Sequence, residues 1–118
     1  MVTMSREEFE NAAGEALDLV PSEFMNRLTN IAIVVEDEPG PDQPANLLGL
    51  YEGVPLPERT SDWGHPTFPD RITLFQAPLQ RICRDVEELR EQIAVTLIHE
   101  IGHYFGIDDD RLHELGWG

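Results

Sequence analysis

Two histidines four residues apart, His99 and His103, enclose a glutamate at Glu100, and the string from His99 to Asp109 reads HExxHxxGxxD. On a helix, residues i and i+4 lie one turn apart on the same face, so both imidazoles can reach one ion. The intervening Glu100 is placed to take a proton from water activated by that ion. Gly106 lets the chain turn sharply, which allows Asp109 to swing back as a third ligand. Three protein ligands and one open position form the pattern of a catalytic zinc (Zn2+) site, whereas structural zinc is usually closed by four ligands, often cysteines. With Cys83 as its one cysteine, the chain cannot build a Cys-rich structural site.

The bland reading of HExxH is a surface helix carrying two chance histidines. Three features count against it. The motif closes a strongly helical run, Gly and Asp follow at set spacing, and three of the four histidines fall within the last 20 residues. The third ligand is less sharply fixed. Asp108 and Asp110 flank Asp109, and an acidic cluster there would also suit the N-cap of a following helix. His113 reads as surface or as a donor behind the ligands rather than as a ligand. A developing oxyanion needs a donor, for which Tyr51, Arg111 and His65 are candidates.

Several elements must position these groups. The main helix is expected from Asp85 as N-cap, with Glu88 in the capping-box place, to about Phe105. Its apolar row is Leu89, Ile93, Leu97 and Ile101, widened by Val86, Ala94, Val95 and Ile98. Gly106 suits a left-handed C-cap. A last short helix is expected over Asp110–Leu115, packing Leu112, Leu115 and Trp117. At the other end, Ser5 and Glu8 predict a capping box for a helix from Arg6 to Leu19, with Phe9, Ala13, Ala16, Leu17 and Val20 as its stripe. A short helix over Glu23–Leu28, capped by Ser22, is expected next.

The continuous β-branched run Ile31–Val35 reads as a buried strand. Further strands are expected at Leu47–Tyr51 and Arg71–Phe75, and a short helix near Pro78–Arg84. Glu36–Pro44 is a polar loop with three prolines and one glycine. Gly53–Pro69 is long and proline-rich and holds Trp63 and His65; it reads as a lid over the cleft or as a cover for the core. An extended peptide is expected along the edge of strand Arg71–Phe75.

At 118 residues the chain reads as one domain, with no repeat. Net charge is −15, and all eight basic residues are arginines. Such a surface repels nucleic acid and anionic lipid; its simplest role is solubility. No apolar run is long enough to span a membrane, the first residues lack the features of a signal peptide, and the lone Cys83 reads as a core residue. These features point to the cytoplasm.

The long motif resembles the metzincin pattern with Asp109 in the final histidine place. The Met-containing turn of that class has no counterpart, since the methionines are Met1, Met4 and Met25. Nearly the whole chain resembles the small bacterial zincin-like metallopeptidases. The matching stretches are Ser5–Phe9, Val34–Asp37, Leu48–Tyr51, Pro69–Phe75 and His99–Trp117. The resemblance implies a minimal zincin of α/β (α+β) class, a small mixed sheet packed on a long helix bearing HExxH. It implies zinc at His99, His103 and Asp109, with Glu100 as catalytic base and peptide or unfolded protein as substrate. Oligomeric state stays open. Two other functions compete. One is a metal-dependent endoribonuclease with an H-x3-H-x5-H site, against which Glu100 and the acidic surface argue. The other is a non-catalytic metal-binding or interaction module.

Overall fold

The computed structural model describes residues 2–20, 22–25, 31–53, 70–107 and 109–114. The element order is α1 (Arg6–Leu17), α2 (Ser22–Met25), β1 (Ile31–Glu36), β2 (Gly49–Glu52), β3 (Asp70–Phe75), α3 (Gln76–Ile82), α4 (Val86–Tyr104) and α5 (Asp109–Glu114). The three strands form one mixed sheet in the order β1-β3-β2. β1 runs parallel to β3, with Ile31 opposite Asp70. β2 runs antiparallel to β3, with Tyr51 opposite Ile72. The α+β class and the small mixed sheet on a long helix are therefore as expected.

The strand order corrects two expectations. β3 is the centre of the sheet and is paired on both sides, so it offers no edge to a peptide. The β-branched run of β1 is an edge strand among the described residues, and its residues from Ile31 to Val35 are only half-buried. Full burial passes to β3, where Ile72 and Leu74 are completely enclosed and Thr73 is nearly so. Composition along a strand reports how apolar it is; neighbours decide how deeply it is buried.

α4 is the hub. It packs against α1, α3, β2 and β3. Its N-terminus is held by Asp85, whose Oδ1 accepts from the Glu88 N–H at 2.8 Å. The return bond of a capping box is shifted by one residue: Glu88 Oε1 accepts from the Arg84 N–H at 3.1 Å. Leu89, Ile93, Leu97 and Ile101 form the buried row as expected and join Phe9, Ile72, Leu74 and Leu79 in one core. The widening of that row differs from expectation. Ala94, Val95 and Ile98 are half-exposed and Val86 is exposed, whereas Thr96, Glu100 and Tyr104 are buried.

α1 begins as its sequence predicts, with Ser5 Oγ accepting from the Glu8 N–H at 3.1 Å. It ends two residues short of the expected Leu19. Arg6 ties this helix to the sheet, donating from Nε to Gln76 Oε1 at 2.8 Å and from a guanidinium nitrogen to the Val35 carbonyl at 2.9 Å, and pairing with Asp37. Cys83 is a buried core residue, and burial, helped by the carboxylates of Glu88 and Asp85, pushes its thiol up. That is the opposite of an activated nucleophile.

Candidate metal centre

The last two turns of α4 carry the site. His99 and His103 stand one helical turn apart, with ring centroids 4.8 Å apart and ring planes at 80°. Their Nε2 atoms converge to 3.2 Å. Both rings are half-exposed, while Glu100 between them is 8% exposed. One ligand atom from each of the three residues lies within 4.8 Å of the others. The buried Glu100 carboxylate thus lies beside two convergent imidazoles.

The donor set fits zinc. Zinc–nitrogen bonds of about 2.0–2.1 Å at tetrahedral angles place two nitrogens about 3.3 Å apart. The observed 3.2 Å is close to that separation. Neutral imidazoles and carboxylates are the ligand types of catalytic zinc sites.

The helix ends as the glycine predicts. Gly106 has φ of 77°. Its N–H donates to the His103 carbonyl at 3.0 Å, and the Ile107 N–H donates to the Gly102 carbonyl at 2.9 Å. These two bonds form a Schellman motif, which satisfies the last carbonyls of α4 and reverses the chain. α5 then starts at Asp109 rather than Asp110. The side chains of Asp109 and His113, all of Asp108, and the packing of Leu112, Leu115 and Trp117 lie outside the described residues. So do Trp63, His65 and Phe68 of the loop read as a lid over the cleft or a cover for the core.

Of the expected oxyanion donors, the Tyr51 hydroxyl donates to Asp70 Oδ2 at 3.0 Å. Arg111 pairs with Glu114 at 3.0 Å on an exposed face of α5. Tyr51 has a second contact of interest, since its ring meets Tyr104 edge-on, with centroids 6.2 Å apart. Tyr104 follows His103 directly and is fully buried, so β2 braces the end of the helix that carries the two histidines.

Sequence reasoning missed Gly49. A Cβ built there would stand 2.7 Å from Thr96 Cγ2 and 3.3 Å from Glu100 Cγ. β2 therefore lies against the face of α4 that carries Glu100. The signal in the sequence was a glycine inside a strand pattern, which marks close approach of another element.

The zincin-like metallopeptidase family matches residues 28–117. The chain belongs to that family. No curated protein matches it. Among solved structures it is similar to a conserved hypothetical protein from Thermo thermophilus, with TM-score 0.59 and 20% identity over 95% of this chain and 97% of that one. That likeness supports the fold. Family membership implies a metal, and His99, Glu100 and His103 form the group among the described residues that could hold one. Among the described residues, no helix is long and apolar enough to cross a membrane.

Proposed function

We propose that this chain is a zinc-dependent peptidase in which His99, His103 and Asp109 hold the ion and Glu100 is the general base. One observation carries the reading: two imidazole Nε2 atoms converge to 3.2 Å beside a buried carboxylate. Zinc held there would supply Lewis acidity, which lowers the pKa of water and polarises a carbonyl oxygen. The helix fixes His99 and His103 one turn apart, so two of the residues that would hold the ion are set by one rigid element. A carboxylate oxygen of Glu100 takes the proton of the attacking water and later passes it to the leaving amine. No covalent intermediate is needed. The Schellman turn reverses the chain shortly before Asp109, which makes that residue the economical third ligand.

The substrate in this reading is an extended peptide or unfolded protein. β2 replaces β3 as the strand it would join. β2 is at the sheet's edge among the described residues, and Gly49 sets it beside Glu100. Main-chain hydrogen bonds along such an edge can fix a scissile carbonyl at the site. The acidic surface disfavours nucleic acid and anionic membranes as partners. The working compartment is the cytoplasm, where the single buried cysteine stays reduced.

Glu100→Gln tests the proposal. Gln is nearly isosteric but cannot accept the proton. The variant is expected to keep wild-type zinc content while cleavage of fluorescent casein disappears. Cleavage persisting above a few per cent of the wild-type rate would show that Glu100 is not the base.

A further inference from the structure

We propose that Gly49 is a positioning residue for Glu100, its missing side chain forming the slot that sets where the carboxylate ends; this rests on the metallopeptidase reading of the site. The slot has three walls. A Cβ at Gly49 would meet Thr96 Cγ2 at 2.7 Å, Glu100 Cγ at 3.3 Å and the Thr73 carbonyl oxygen at 3.4 Å. The first distance is inside van der Waals contact, the second is tight, and the third is ordinary packing. Thr96 and Glu100 are one turn apart on α4, and both are buried. Gly49 is buried as well and pairs with Leu74 of the central strand. The strand therefore cannot drift from the helix without disturbing the ladder with β3.

The energetics favour a fixed slot. Thr96 is β-branched and shares its χ1 between two main wells in a helix, so its methyl has little choice of place beside a new Cβ. The Glu100 stem stands where a side chain at position 49 would crowd it, so the bare β2 backbone leaves the stem its place. A paired strand fixed beside the stem limits the torsions it can sample. The three atoms nearest a Gly49 Cβ include none from His99 or His103.

Gly49→Ala is the test, with Thr96→Ser as the compensating change, since Ser lacks the Cγ2 that the new methyl strikes. Two readouts apply: casein cleavage by the zinc-loaded protein, and the visible absorption band of the protein loaded with cobalt(II) in place of zinc. Gly49→Ala is expected to bind one cobalt per chain, to shift the band, and to lose about tenfold to a hundredfold in kcat, the scale of a misplacement near 1 Å. Adding Thr96→Ser is expected to return both readouts most of the way to wild type. A Gly49→Ala variant with wild-type band and wild-type turnover overturns the proposal. So does a metal-replete double variant that shows no recovery. If Gly49→Ala does not fold, the double variant decides: recovery of fold and band supports the slot, and continued unfolding overturns it. If the wild type cleaves no casein, the peptidase reading fails, while the cobalt band still judges the slot.

Discussion

The long helix α4 presents two buried rows that differ in kind. Leu89, Ile93, Leu97 and Ile101 make a row of carbon, enclosed by α1 and the sheet. Thr96, Glu100 and Tyr104 make a second row, turned toward β2, whose members carry polar groups that a core would not need. His99 and His103 border this second row. The first row answers to the hydrophobic effect alone. The second is buried against that preference, and the contrast separates what holds the helix in place from what the helix is there to hold.

The comparison can be broken in three graded ways. The largest effect belongs to the polar border: His99→Ala with His103→Ala is expected to abolish zinc binding and turnover together. Metal content near wild type in that double variant, measured by elemental analysis, would remove the centre from these residues. Next is the carbon row. Leu97→Ala empties a fully enclosed position and is expected to cost about 2–5 kcal/mol of stability. The folded fraction should still bind one zinc, so urea unfolding and metal titration should move independently. The smallest effect lies at the far end of the helix. Asp85→Ala removes the cap that accepts from the Glu88 N–H and is expected to cost about 1 kcal/mol, leaving zinc affinity unchanged. A large loss of affinity there would mean that the two ends of α4 are coupled.

These rows also mark how far the sequence could be read. His99, Glu100 and His103 were legible because helical geometry alone converts their spacing into proximity. The capping residues Ser5, Asp85 and Gly106 were legible for the same local reason. The carbon row followed from its period. The second row did not, because Thr96 and Glu100 give no apolar signal and Val95 and Ile98 give a misleading one. Gly49 could not be assigned to Glu100, since their meeting depends on how β2 is laid on α4. Strand positions were visible, but their order was not. Arg71–Phe75 looked like an edge and is the centre, because pairing partners are chosen by the whole chain rather than by the strand.

That central strand also governs when the protein can assemble. β1 and β2 come earlier in the chain yet never touch each other as neighbours in the sheet; each finds its partner only in β3. Among the described residues, the chain up to Glu52 supplies two strands with no ladder between them. Sheet formation must wait for Asp70–Phe75 to insert between them, and pairings so distant in sequence are closed slowly. The helix with the histidines follows closely behind that strand, so its docking surface comes into being only as β3 arrives.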